Sequence, residues 1–480
     1  MKGQYLPAST LTGLLGAWAD GTGPAYRVLA ERLRLLIADG RIMPSSRLPS
    51  ERELTEALGV SRTTVASAYR ELRDGGYLIS RRGSGSVTAL PGRLEPELGR
   101  HHAPTFDTEA HYDFTAAAPA AIPGISAAVA AATPDLPAHL ATPGYHPQGL
   151  PELREEVAAV YAERGLPISP GQIIITAGAL AATSIAIRAM TQIGDRVLTE
   201  SPTHPNSGDA IRHSGCRLVA APMGPTGWDL PLLEATIRQT APRAAWMVVD
   251  FQNPTGWLMS AADRQRLAIA FARTRTTAII DETLFGLSLD GQEMPPPFAS
   301  YHPEGVITVG SASKLFWGGL RIGWMRVPES LVAQVLDARA SLDLGAPVLE
   351  QLVVARLLRQ RAALLPERRV TLARQRDALA EVVSAELPSW RFRLPGGGLS
   401  LWCELPEPVG SSLVGVAQRN GVLLVAGARF SPDGGLESFI RLPYTLPADA
   451  LRDGVRRLAS SYAALTSGPA PTRRTAAMIA

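Results

Sequence analysis

Lysine is nearly absent from this chain. Of its 47 basic residues only Lys2 and Lys314 are lysines, and the other 45 are arginine. Guanidinium supplies positive charge but does not lose its proton in a protein, so chemistry that needs a neutral primary amine has one internal residue to draw on. Cysteine is almost as scarce. Cys216 and Cys403 stand far apart, give neither a disulfide framework nor a zinc pattern, and read as small buried apolar residues in a reducing compartment. Long apolar runs are missing too: nothing approaches ~18 uninterrupted apolar residues, and no charged-then-apolar signal pattern stands at the N-terminus, so a soluble cytoplasmic protein is expected. His101 and His102 are adjacent but have no partner ligands at useful spacing, so no metal site is expected and both read as exposed residues.

What is present is enough for two or three compact domains: 480 residues, 46% of them hydrophobic. The formal charge of +3 hides an asymmetry, because residues 25–88 carry eleven arginines against seven acidic groups, a net of +4, which leaves −1 for everything else. A basic excess confined to one small segment is the electrostatic footprint of nucleic-acid binding, weak when taken alone.

Residues 1–24 read as an N-terminal arm. From Ala25 to about Ile37, Leu29, Leu33, Leu36 and Ile37 recur at helical spacing until Gly40 stops the segment. Ser50-Glu-Arg-Glu53 is a capping-box pattern opening a short helix through Leu58, and after Gly59-Val60, Ser61 can cap a third helix with the apolar stripe Val65, Ala68, Tyr69, Leu72. Two helices joined by so short a glycine-containing turn predict a helix-turn-helix, and Gly75–Thr88 predicts two short strands around a basic tip, a wing. Residues 89–112, with Pro91, Pro96 and Pro104 and no apolar period, read as a linker. From Asp113 to about residue 465, strand-like runs (Ile173–Thr176, Arg196–Leu198, Ala245–Asp250, Thr277–Asp281, Val306–Gly310) alternate with helical segments, the rhythm of an α/β domain on a mainly parallel sheet. Residues 466–480 lack a core pattern and read as a disordered tail.

In such sheets ligands bind beyond the carboxyl ends of the strands. Three strands end there in chemistry-bearing residues: Asn253 in Asn-Pro-Thr-Gly256, Asp281 in Asp-Glu-Thr283, and Lys314 in Ser311-Ala-Ser-Lys314, with Arg321 seven residues on. A lysine can condense with an aldehyde, an aspartate can hold a pyridine nitrogen protonated, an asparagine can donate to a ring oxygen, and a serine with an arginine can bind phosphate. The cofactor with all these handles is pyridoxal 5′-phosphate.

In order and spacing these residues resemble the fold-type I aminotransferases over roughly Asp113 to Ser461. The resemblance implies that Lys314 forms the aldimine, Asp281 partners the pyridinium, Asn253 reaches the ring oxygen, and Ser311 and Arg321 bind phosphate. It places amides near Gly178 and Ala179 at a phosphate-facing helix N-terminus. His204, in Glu-Ser-Pro-Thr-His-Pro, is placed to stack on the ring, or is simply a loop histidine. Tyr145-His-Pro-Gln-Gly is similar to the segment whose tyrosine reaches the phosphate of the neighbouring subunit, which implies a homodimer. Phe439-Ile-Arg441 matches the segment whose arginine takes a substrate carboxylate, so Arg441 is expected to bind an amino-compound effector, a structural role being the alternative. The chain departs from the family where a tyrosine usually follows the aspartate: Thr283 and Leu284 stand there. His204 replaces the usual aromatic stacker, and Ala179 and Leu180 replace polar residues.

Arg47-Leu-Pro-Ser-Glu-Arg-Glu through Val-Ser-Arg-Thr-Thr-Val65, with Arg82-Gly-Ser-Gly-Ser-Val, resembles the winged helix-turn-helix of the GntR family. There the resemblance implies DNA contacts by Arg47, Arg52, Ser61, Arg62, Thr64, Arg82 and Gly83. Arg62 can pair bidentately with guanine, and the others can meet phosphates; for Arg47 and Arg52 the alternative is an ion pair with Glu51 or Glu56. A GntR-type head on an aminotransferase-like domain is the architecture of the MocR subfamily of bacterial transcriptional regulators. The resemblance implies a homodimeric regulator of double-stranded operator DNA. It would sense pyridoxal phosphate, or its adduct with a small amino compound, through a domain no longer used as an enzyme. A working aminotransferase with an attached DNA-binding head is the alternative.

Overall fold

The computed structural model describes residues 5–16, 18, 23–38, 41–42, 46–81, 85–89, 112–432 and 434–466. Two compact units divide the chain: Met1–Thr105 with Ala121–Pro134, and Phe106–Ala120 with Asp135–Ala480. The boundary expected at Asp113 is therefore corrected, because residues 121–134, which include helix Ile125–Ala132, pack with the first unit.

In the first unit helices α1 (Ala8–Leu15), α2 (Ala25–Ala38), α3 (Glu51–Leu58) and α4 (Arg62–Asp74) precede strands β1 (Leu78–Arg81) and β2 (Gly85–Thr88), which pair antiparallel. The expected capping box forms: Glu53 N–H donates to Ser50 Oγ at 3.2 Å, and Ser50 N–H donates to Glu53 Oε2 at 2.7 Å. Gly59 ends α3 in the left-handed conformation at φ 66°, which glycine adopts without a Cβ clash. Leu29, Leu33, Leu36 and Ile37 pack with Leu54, Val65, Ala68, Tyr69 and Leu72. The arm expected at residues 1–24 is replaced over Ala8–Leu15 by a helix that puts Leu11 and Leu15, four apart on one face, fully into this core. Leu6 N–H donates to Arg47 O at 2.9 Å, so the segment ahead of α1 is tied in as well. Residue 89, the first of the expected linker, extends the wing through Ala89 N–H to Tyr77 O at 2.8 Å. The linker's 90–111, the tail's 467–480, and Arg82 and Gly83 at the wing tip lie outside the described residues.

In the second unit the short strand β3 (Tyr112–Asp113) pairs with β14 (Val422–Leu423). An eight-stranded sheet comprises β4 (Ile173–Thr176), β5 (Arg196–Ser201), β6 (Arg217–Gly224), β7 (Gly227–Trp228), β8 (Ala244–Val248), β9 (Thr277–Asp281), β10 (Val306–Ser311) and β11 (Gly323–Arg326), in the order β4-β11-β10-β9-β8-β5-β6-β7. Only β11 and β7 run against the rest, as a mainly parallel sheet requires. Along β8 the two-residue period sends Ala244, Trp246 and Val248 into one core and Ala245 and Met247 into the other, so the strand is apolar throughout. A smaller antiparallel sheet of β12 (Arg391–Phe392), β13 (Ser400–Glu404), β16 (Phe439–Pro443) and β15 (Val425–Ala426) completes the unit.

Charges are buried just where the central strands end. Arg264 donates to Asp250 at 2.5 Å, both fully buried, while Arg164 reaches Asp250 at 3.5 Å and Glu282 at 2.5 Å. Glu282 Oε1 also accepts from Phe298 N–H at 3.1 Å. Removing one partner from such a cluster costs about 3–5 kcal/mol, because it strands an unpaired charge. The cluster ties the end of β8, which leads to Asn253, to the end of β9, which carries Asp281. Cys216 and Cys403 are both buried and free.

Candidate functional site

The ends of β8, β9 and β10 converge on a cavity of about 620 Å³ lined by Asn253, Asp281, Ser311, Lys314, Arg321, His204, Ala179 and Arg441. Asp281 is the last residue of β9 and Ser311 the last of β10. Ser311 caps the short helix Ala312–Leu315, accepting Ser313 N–H at 3.1 Å, and so aims Lys314 from a fixed turn. Lys314 Nζ donates to Ala117 O at 2.7 Å. Arg441, on β16, donates from Nη1 to Asn253 Oδ1 at 3.3 Å and from Nη2 to Thr115 O, lies 4.9 Å over the Phe430 ring, and leaves Nε without a partner.

Burial sets the electrostatics. It lowers Lys314 to about 8, helped by the positive charges of Arg441 and Arg321 and opposed by Asp281. Burial raises Asp281, outweighing the bond from Thr283 N–H at 2.8 Å and the attraction of Lys314. Burial, then Lys314 and Arg441, lowers His204 to about 4, so the ring is neutral at pH 7. Its Nδ1 lies 3.0 Å from Ser207 Oγ, and the ring is tilted by 34° against Trp246 at 6.5 Å. Burial also brings Arg441 down to about 10, still charged.

A lysine at about 8 is roughly one-tenth neutral amine at pH 7. Capture of pyridoxal phosphate by the cofactor-free protein is therefore expected to rise about fivefold from pH 7 to 8 and to level above pH 9. A lysine at its ordinary value would keep accelerating about tenfold per pH unit to about pH 10. Absorbance-monitored uptake at pH 7, 8, 9 and 10 distinguishes the two.

The opposite wall is built for close approach. Gly178 precedes helix Ala179–Met190 at φ 96°, and a Cβ there would meet Arg321 Nη2 at 2.7 Å. A Cβ on Gly323 would meet Gly178 C at 2.6 Å and Ala179 N at 2.8 Å. Arg321, in the left-handed region at φ 52°, donates to Ala177 O at 3.0 Å. A guanidinium and a glycine-opened helix N-terminus thus stand together, the arrangement that receives an anion.

Tyr145 is 65% exposed and does not line this cavity. Thr283 and Leu284 line it and are buried. Residues that sequence reasoning missed are Ser313, the carbonyl of Ala117, the Thr115–Ala118 stretch, Phe430 and Arg429. Backbone acceptors leave no mark in a sequence, and Arg429 is one arginine among 45.

On the first unit, Arg62 opens α4 with its side chain exposed, beside the cap residue Ser61, whose Oγ accepts from Thr64 N–H at 3.1 Å. Arg52 is exposed and pairs with Glu56 at 3.1 Å, the alternative weighed from the sequence; a pair so open contributes little and can be exchanged for phosphate. Arg47 lies 5.8 Å from the Tyr5 ring centre.

Residues 120–458 match the family described as aminotransferase class I and II. This chain belongs to the class I and II aminotransferase family. Ahead of that match, residues 25–87 match the gntR family of bacterial regulatory proteins. The uncharacterized HTH-type transcriptional regulator YdcR of Escherichia coli is 29% identical over 87% of this chain and 94% of its own length. The probable rhizopine catabolism regulatory protein MocR of Rhizobium meliloti is 30% identical over 65% of this chain and 67% of its own. Among solved structures, the α-aminoadipate aminotransferase LysN from Thermus thermophilus, complexed with N-(5′-phosphopyridoxyl)-L-leucine, superposes with a TM-score of 0.68 at 28% identity, covering 75% of this chain and 94% of that one.

Pyridoxal 5′-phosphate, the cofactor of this aminotransferase fold, fits the residues present. Burial brings the Lys314 amine down to about 8, Asp281 is a buried carboxyl on the same cavity, and the missing Cβ of Gly178 lets the Arg321 guanidinium come up to the head of helix Ala179–Met190. Arg321 and the backbone amide of Ala179 can take its phosphate, and Asn253 can offer Nδ2 to its ring oxygen while Oδ1 accepts from Arg441. Among the described residues no group of His, Cys, Asp or Glu is arranged to hold a metal, and no helix is long and apolar enough to cross a membrane.

Proposed function

We propose that this protein is a homodimeric, cytoplasmic transcriptional regulator that binds operator DNA through residues 25–88 and senses pyridoxal phosphate, with or without an amino compound, through its aminotransferase-like domain. The observation that carries the reading is the joint presence of a helix-turn-helix with Arg62 exposed at the head of α4 and a cavity that keeps Lys314, Asp281, Asn253 and Arg321. The bound cofactor supplies an electrophilic carbonyl carbon and an electron-withdrawing ring. Lys314 would hold it covalently, Asp281 would keep the ring nitrogen charged, Ser311, Arg321 and the Ala179 amide would hold the phosphate, and His204 would cover the ring. Tyr145, exposed on each protomer, reaches the neighbouring site. Arg441 takes the effector's carboxylate.

Thr283 and Leu284 support sensing over turnover. A phenol at that place would donate to the ring oxygen and tune the lysine link; a threonine whose backbone is already tied to Asp281 and a buried leucine do not. Regulation requires the amino compound to bind two arrangements of the dimer unequally, since a ligand shifts an equilibrium only by its differential affinity.

The test uses DNA selected from a random pool by the cofactor-loaded protein. Two half-sites are expected in the selected sequence, and adding a cognate amino compound should change affinity for it while the cofactor is converted to its amino form slowly or not at all. Rapid conversion with a common amino acid, and DNA affinity indifferent to the cofactor, would instead support the enzyme.

A further inference from the structure

The match to the gntR family begins at residue 25, yet the chain ahead of it is built into the DNA-binding unit. Tyr5 pairs in parallel with Arg47, Arg47 pairs antiparallel with Val87, and Val87 pairs with Ile79, so four chain segments lie side by side at the wing. Leu6 N–H to Arg47 O at 2.9 Å and Leu48 N–H to Ser86 O at 3.0 Å fasten them. Cross-strand partners share a face, so Tyr5, Arg47, Val87 and Ile79 form one row, while Leu48, Leu78 and Thr88, all buried, point the other way. In the first row Tyr5 is 44% exposed and Ile79 50%, and Arg47 is exposed as well.

Among the described residues no acid pairs with Arg47. The three glutamates of α3 are engaged elsewhere: Glu51 with Arg73 at 3.8 Å, Glu56 with Arg52 at 3.1 Å, and Glu53 with Ser50 N–H at 2.7 Å. Glu53 also accepts from the Tyr5 phenol, within electrostatic reach of Arg47. The Tyr5 ring centre lies 5.8 Å from the Arg47 guanidinium, close enough for a cation to be drawn to a ring face. Gly85, at the start of β2, flanks the same side chain, where a Cβ would come within 3.5 Å of Arg47 Nε. Tyr5 therefore acts on Arg47 in two ways. Its ring lines the guanidinium, and its phenol occupies a carboxylate that would otherwise compete for that charge.

We propose that Tyr5 is a positioning residue for DNA binding, holding the Arg47 guanidinium exposed and free of acids for a backbone phosphate. The proposal rests on the reading of residues 25–88 as the operator-binding segment and extends that interface to a residue ahead of it.

Full-length, cofactor-loaded protein is titrated by fluorescence anisotropy against the selected operator and a random duplex over a series of salt concentrations. Tyr5→Ala is expected to weaken both complexes by the same factor, roughly three- to tenfold, and to reduce the salt slope by about one, because a phosphate contact carries affinity but no sequence information. Arg47→Ala should do the same. Adding Tyr5→Ala to Arg47→Ala should then cost nothing further, a coupling that a merely structural tyrosine would not show. Tyr5→Phe keeps the packing of the ring and gives up the bond to Glu53, so it should fall between alanine and wild type; it carries the test if the melting temperature shows that alanine disturbs the fold. Wild-type affinity and slope in both tyrosine variants, a loss confined to the operator, or a loss from Tyr5→Ala undiminished in the Arg47→Ala background overturns the proposal. If Arg47→Ala itself binds as wild type does, Arg47 meets no phosphate and the proposal falls while the operator reading stands. If the wild-type protein binds no DNA, the operator reading falls with it.

Discussion

Replacing Lys314 with alanine abolishes the visible absorbance that wild-type protein acquires on incubation with pyridoxal phosphate. The aminotransferase-like domain offers no substitute amine: Lys2, the one other lysine, lies ahead of the DNA-binding segment, and the remaining basic residues are guanidiniums that stay protonated. Lys314→Arg makes the test stricter. Arginine keeps the positive charge beside Asp281 but cannot condense with a carbonyl, so it should lack the band as completely as alanine does. Both variants should keep the fold, because Lys314 makes one hydrogen bond, to Ala117 O, and is not part of the ion cluster beneath the strand ends. Weak, reversible cofactor binding through Arg321 and the Ala179 amide should persist, visible by dialysis and lost in phosphate buffer. A band of wild-type intensity in Lys314→Arg would sink the assignment.

Arg62→Ala removes specific recognition of DNA and leaves the cofactor spectrum unchanged. Arg62 is exposed in the first turn of α4, so its loss touches no core residue and the melting temperature should hardly move. A bidentate guanine contact is worth about 1–3 kcal/mol of discrimination, and a dimer on two half-sites loses it twice. Affinity for the selected operator should fall to nearly that for random DNA in an electrophoretic or anisotropy titration. Arg52→Ala makes the contrast. A residue that meets phosphate should weaken binding to every sequence alike and reduce the salt slope by about one. If Arg62→Ala binds the operator as wild type does, α4 is not the reading helix.

Much of this architecture is legible in the sequence because short-range rules act alone there. Ser50 and Glu53 form the box their spacing predicts, and Asn253, Asp281 and Lys314 converge because each stands at or just beyond the end of a strand of one mainly parallel sheet. The misses have physical causes. Helix α1 buries two of its three leucines, which mean little until a core accepts them, so Ala8–Leu15 reads as an arm. The carbonyl of Ala117 that receives Lys314 carries no side-chain signature, and Arg429 pairs with Asp209, 220 residues away in sequence.

The ion cluster of Arg264, Asp250, Arg164 and Glu282 has a bearing on how the protein responds to its medium. Its charges are buried or nearly so, where dissolved ions do not screen them, and it fixes the strand ends that hold Asn253 and Asp281. Arg47, Arg52 and Arg62 of the DNA-binding head are exposed, and contacts between such groups and phosphate weaken steeply as counterions accumulate. Rising ionic strength is therefore expected to loosen the protein's hold on DNA while the geometry of its cofactor pocket stays as it was, so an osmotic change would reach the DNA-binding head before it reaches the pocket.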